Sequence, residues 1–179
     1  MHFNQEGNNM NYLKNIDDIY TDAMHEFLNG NFEKSIELLS EAAELDPFRT
    51  LTFVSRGSAY LKLNRLEEAL ADFNHAIDID PNYARGFHLR GLVQEKQGND
   101  AGALDDLNRA IEINPEYGAA FHSRATLHTK MGHEDQAVED IAMVQHLTNK
   151  NIETFANENN VWRSQHLRLE SIMESELGR

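Results

Sequence analysis

The chain has no cysteine, only three prolines and a single tryptophan in 179 residues. Without a thiol there is no disulfide, no thiol nucleophile and no cysteine-ligated zinc. No apolar run approaches the length of a membrane span or of a signal-peptide core, and the N-terminus is not basic. The cytoplasm is therefore the expected location. Positive charge is scarce as well: 16 Lys and Arg stand against 30 Asp and Glu, a net charge of -14. Nucleic acid and anionic membrane surfaces repel such a chain, so neither is an expected partner. There is no Gly-rich phosphate loop, no Ser nucleophile motif and no HExxH, and no carboxylate pair stands out from the acidic background. No catalytic residue, metal site or cofactor is expected.

What is present is a period. The stretch from Thr50 to Tyr83, shifted forward by 34 residues, lands on Ala84 to Tyr117 with Phe53 over Phe87, Arg56 over Arg90, Gly57 over Gly91, Ala69 over Ala103 and Ala76 over Ala110. The prolines, Pro47, Pro81 and Pro115, are equally spaced and mark the same point in successive copies. Within the unit, Phe53, Gly57 and Tyr60 lie four and three residues apart, as do Ala69, Phe73 and Ala76. Each set is one stripe of an α-helix, so the unit is a pair of short helices. Asn64, matched by Gly30, Gly98 and Gly132, supplies the break between them, where Gly or Asn most readily takes a left-handed backbone. Gly57 and Ala69 are small where the helices cross, and Phe73 is large enough to fill the space beside them.

On these residues the unit resembles a tetratricopeptide repeat. The family's pattern falls on Phe53, Arg56, Gly57, Tyr60, Ala69, Phe73, Ala76 and Pro81, and several of these positions recur at the fixed period. The resemblance implies an all-α fold, a right-handed superhelical solenoid of helix-turn-helix repeats, whose first helices line a concave surface that binds a protein segment. Four copies are expected over residues 15–151, at 16–49, 50–83, 84–117 and 118–151. The first keeps Ala23, Ser35, Leu39, Ala42 and Pro47 but has Asp22 and Glu26 in place of the Arg and the aromatic; the fourth lapses where Val144 and Asn149 replace Ala and Pro. Terminal repeats have one face without a neighbour, so divergence is expected there.

The flanks differ from the repeats. Residues 1–14 are polar and Asn-rich and are expected to form a disordered or weakly ordered tail. From 152 to 179 a long C-terminal helix is expected, with Ile152, Phe155, Ala156, Trp162, Leu169, Ile172, Met173 and Leu177 on its apolar stripe. Its first half would cap the stack and its second half would project; a homodimer through this helix is the alternative.

Three constellations recur with the period. Arg56 and Asp72, Arg90 and Asp106, and Arg124 and Asp140 are each present together, while the first copy lacks both members; a partly buried structural ion pair between the two helices is expected. Lys62, Lys96 and Lys130 sit where a cation complements a helix C-terminus. His88 and His122 occupy equivalent positions of adjacent copies, where solvated groove residues are expected in preference to a metal patch.

The expected groove lining is Tyr20, Met24 and Phe27; Leu51, Val54, Ser58 and Leu61; Arg85, His88, Leu92 and Glu95; and His122 and Thr126. Its first half is apolar and its second polar, which suits a segment that inserts apolar side chains at one end and forms hydrogen bonds at the other. The N-terminal tail, through Phe3 or Tyr12, is a competing cover for the apolar half. Family members that hold the acidic tails of heat-shock chaperones use a Lys/Asn clamp, and of the matching positions here only Arg85 fits; that specificity is not expected. The sequence therefore reads as a non-enzymatic adaptor or scaffold. The alternatives are a small cytosolic chaperone for an apolar secretion substrate and a structural oligomer assembled through the C-terminal helix.

Overall fold

The computed structural model describes residues 15–158. Among these are eight helices: α1 (Ile16–Leu28), α2 (Phe32–Leu45), α3 (Thr50–Lys62), α4 (Leu66–Ile79), α5 (Ala84–Lys96), α6 (Asp100–Ile113), α7 (Gly118–Met131) and α8 (Glu134–Glu158). No strand occurs among the described residues. Each odd-numbered helix packs against the even-numbered one that follows, giving four antiparallel pairs. The turn inside each pair carries one residue of positive φ: Gly30 at 80°, Asn64 at 58°, Gly98 at 80° and Gly132 at 77°. The connection between pairs is built around proline instead. Asp46, Asp80 and Asn114 each precede a proline and accept a backbone N–H two residues on through Oδ1, at 3.0 Å in each case. That short-range bond favours a turn over a further helical residue, and proline forbids the continuation.

The core is one stripe repeated along the stack. Phe53, Val54 and Ala76 form one cluster, Ala69, Phe73 and Val93 the next, and Ala103, Leu107 and Leu127 a third. Phe73 is wholly buried, worth about 1.5–3 kcal/mol in apolar transfer alone. The small residues it requires are visible around it: a Cβ on Gly57 would lie 2.7 Å from its ring. Packing runs between consecutive helices and, besides these, between α1 and α3, α3 and α5, and α5 and α7. The even-numbered helices make no such skip contacts. The odd-numbered helices therefore form the inner, concave layer.

The C-terminal end departs from the expected arrangement. No separate helix opens at Ile152. Instead α8 runs unbroken for 25 residues, where α2, α4 and α6 have 14 each. The cause lies at Asn149, which stands at the repeat position of Pro47, Pro81 and Pro115. It has an amide N–H and no ring to clash with the preceding turn, so the hydrogen-bond ladder continues. Ile152 and Phe155 on this extension are 55% and 63% exposed. The rest of the expected stripe, Trp162, Leu169, Ile172, Met173 and Leu177, lies outside the described residues, as do residues 1–14.

Candidate partner-binding groove

The inner layer is fixed by a clamp that repeats with the stack. Arg56 donates to Asp72 through Nε at 2.9 Å and Nη2 at 2.7 Å. Arg90 meets Asp106 at 2.8 and 2.7 Å, and Arg124 meets Asp140 at 2.9 and 2.6 Å. These are two-pronged guanidinium–carboxylate pairs, and the three carboxylates are only 8%, 8% and 5% exposed. Each guanidinium also stands over the ring of Phe53, Phe87 or Phe121, 5.4 Å from its centre. A third contact escaped the sequence reading. Nη1 of each Arg reaches back to the preceding pair, to Ser40 at 3.1 Å, Asn74 at 2.8 Å and Asn108 at 2.8 Å. The clamp therefore joins a pair to its predecessor as well as its own two helices.

Two residues assigned to the groove belong to the scaffold. Val54 is 1% exposed and packs with Phe53 and Ala76, so it offers a partner nothing. His88 is 8% exposed. Its Nδ1 lies 3.0 Å from the Tyr117 hydroxyl and its Nε2 2.9 Å from that of Ser123. A neutral imidazole donates through one nitrogen and accepts through the other, and the two hydroxyls satisfy either assignment. Burial, and after it the positive charge of Arg85, lowers the His88 pKa to about 4; burial also raises that of Tyr117. His122 is exposed, so the two equivalent histidines occupy different environments. No cluster of three His, Asp or Glu side chains suited to a metal occurs among the described residues. Tyr20, one junction earlier, is half-buried and its hydroxyl lies 2.9 Å from that of Ser55. Phe27 turns edge-on to Phe32 on its own pair, with ring centres 5.3 Å apart. Ser58 and Thr126 spend their hydroxyls on the carbonyls of Val54 and His122.

Of the expected lining, Leu51, Arg85 and His122 are exposed and Met24, Leu61, Leu92 and Glu95 half-buried, all on odd-numbered helices. Two open cavities lie beside α5. One, of 240 Å³, is lined by Leu61, Leu92, Glu95 and Lys96. The other, of 410 Å³, is lined by Asn82, Tyr83, Ala84, Arg85, Ile113, Asn114 and Tyr117. Arg85 is exposed at the second residue of α5, about 15 Å along the helix from Glu95. Leu51 is 43% exposed. The surroundings of α5 thus combine leucines with a guanidinium and side-chain amides.

Family models for the TPR repeat and the tetratricopeptide repeat match residues 57–98 and 84–117. No curated protein matches the sequence. Among solved structures, a crystal structure of MamA is similar at 21% identity over 78% of this chain and 82% of that one, with a TM-score of 0.70. MamA residues 41 to the end from Desulfovibrio magneticus RS-1 gives 0.69 at 16% identity, covering 78% of each chain. The first TPR of Spaghetti (RPAP3), bound to the HSP90 peptide SRMEEVD, gives 0.63 at 20% identity over 65% of this chain and 93% of that one. Identities this low establish the fold and nothing finer. No described helix is long and apolar enough to cross a membrane. With family models on residues 57–117 and the same helix-pair stack around them, the chain carries tetratricopeptide repeats.

Proposed function

We propose that this chain is a non-catalytic adaptor whose concave face holds a segment of another protein. The observation that carries the reading is the division of labour on α5. His88 is spent on the scaffold, whereas Arg85 and Leu92 flank it on the same helix and line separate open cavities. A segment crossing that helix would lodge an apolar side chain between Leu61 and Leu92 and present an acceptor to Arg85 and the amides beside it. The peptide held by the first TPR of RPAP3 supports a peptide ligand in general, though not that peptide's sequence for this groove.

The test is capture from the source lysate by the native chain and by Leu51→Glu/Arg85→Glu, two exposed positions whose change leaves the core and clamp intact. Both forms should show the same helical circular dichroism. A protein retained by the native form and lost by the variant is the expected result. Equal retention by both would remove the groove as the working surface.

A further inference from the structure

The turn inside every helix pair is closed by the same backbone bond. It runs from the N–H of Asn31, Arg65, Asn99 and His133 to the carbonyl of Glu26, Tyr60, Gln94 and His128, at 2.8 or 2.9 Å. The side chains of the two closing residues meet in all four copies. In the first, Asn31 donates through Nδ2 to Oε2 of Glu26 at 2.7 Å. In the second, the Arg65 guanidinium stands 4.7 Å from the centre of the Tyr60 ring. In the third, Asn99 donates through Nδ2 to Oε1 of Gln94 at 3.3 Å. Each of these sets a donor or a cation against an acceptor or a π face, and so is complete in itself.

The fourth turn is different, because like meets like. His128 and His133 approach through Nδ1 of each ring at 3.3 Å, with ring centres 5.5 Å apart. Two imidazoles meeting through the same atom both present a lone pair there, unless one of them carries its proton on Nδ1. A tetrahedral zinc ion bonded at about 2.0–2.1 Å holds two nitrogens about 3.3–3.4 Å apart. Square-planar bonds of that length, the tetragonal preference of Cu²⁺, would need about 2.8–3.0 Å. The separation in the turn is therefore the tetrahedral bite. His128 is 9% exposed, and burial lowers its pKa, which leaves the ring unprotonated and able to act as a ligand near neutral pH. The charges that act on it are the Asp140 carboxylate from α8, the Arg124 guanidinium from its own helix and His133. His133 is exposed, so its ring can tilt towards an ion and leave the outer positions to water. Glu134 and Asp135, exposed in the first turn of α8, and the net charge of -14 draw a cation to this place.

We propose that His128 and His133 form a two-imidazole site for Zn²⁺, with water in its remaining positions, that ties the end of α7 to the start of α8. The site is independent of what the groove binds. Its two ligands stand five residues apart across Gly132, outside the four-residue spacing by which ligating histidines share one face of a helix.

The third turn supplies the control. His128→Gln/His133→Asn installs the Gln94 and Asn99 pair in the fourth turn, so the turn keeps a clasp of its own and loses both ligands. Zinc chloride titrated by calorimetry into the full chain at neutral pH, in a buffer that does not bind metal, should fill one saturable site and raise the midpoint of thermal unfolding. The double variant should show the same helical circular dichroism, with zinc affinity lower by about tenfold or more and no rise in the midpoint. His133→Asn alone, which retains the buried imidazole, should lose as much. A native chain that takes up no zinc overturns the proposal and leaves the two rings sharing a proton. Zinc bound equally by the native chain and the double variant overturns it in favour of other histidines.

Discussion

The first helix pair and the three behind it share their left-handed inner turns, yet they are held by different means. In the later pairs an arginine grips the aspartate of its own pair and a Ser or Asn of the pair before. In the first pair the same places hold Asp22 and Leu38. The third contact bears on the difference, because no helix pair is described ahead of the first. Its junction to the second pair adds to the Arg56–Ser40 contact Arg49, which meets Asp17 at 2.7 Å and stands 4.9 Å over the Tyr20 ring, and Tyr20 against Ser55. The Asp17 side chain is 67% exposed, whereas that of Asp106 is 8% exposed. All three junctions carry an arginine reaching back, but only the later pairs hold a desolvated guanidinium–carboxylate pair between their own two helices.

Removing carboxylates sharpens that contrast most. Asp106→Ala leaves Arg90 uncompensated and strips Gln94 of its acceptor, at an expected cost of about 3–5 kcal/mol. The double change Arg90→Met/Asp106→Leu should cost less than the single one, and Asp17→Ala no more than about 1 kcal/mol. Urea unfolding followed by circular dichroism measures all three. A double variant less stable than Asp106→Ala would show that the pair stabilises on its own account.

Acid separates the first and third junctions next. Where Tyr20 and Ser55 present only hydroxyls, His88 can gain a proton. Its folded pKa of about 4 lies below the ordinary 6.5, so the unfolded chain takes up that proton first as pH falls. The stability His88 contributes is complete above about pH 6.5 and is lost on the way down to about pH 4, amounting to about 2–3 kcal/mol. Subtracting the stability curve of His88→Gln from that of the native chain isolates it. A flat difference from pH 7 to pH 4 would mean that the ring is charged inside the fold.

The smallest expected effect compares crossing points. The first pair has Ala23 against Leu39, and the second has Gly57 against Phe73. Gly57→Ala places a methyl 2.7 Å from a buried ring, and the strain should outweigh the gain in helix propensity, leaving a loss of about 1–2 kcal/mol. Adding Phe73→Leu copies the first pair and should recover part of that loss. Thermal melts that rank the double variant below Gly57→Ala would refute the idea that the two positions are matched.

Much of the fold was legible because its punctuation is chemical. Gly30, Asn64, Gly98 and Gly132 announce left-handed turns, and the three prolines announce the breaks between pairs. The pairing of Arg with Asp was readable from joint presence and joint absence. Its third partner was not, since Ser40, Asn74 and Asn108 look like ordinary polar positions on a solvated helix. Groove lining was read by assuming that equivalent positions are equally exposed. That fails at Val54, where the neighbouring copy covers the site, and at His88, whose partners Tyr117 and Ser123 lie 29 and 35 residues away. The length of α8 was signalled by Asn149, but counting residues by the repeat period hid it.

The reach of each arginine into the pair before it also bears on how such a chain can lengthen. A cassette of 34 residues inserted after Tyr83 would find Asn74 waiting for its own arginine and would offer an acceptor to Arg90 in turn, so every clamp would close. Inserted ahead of Ile16, the same cassette would meet Asp22 and Leu38 and no arginine at all. The clamp is thus one that a duplicated unit can continue in the middle of this array, and one that a unit set ahead of Ile16 would leave unmatched.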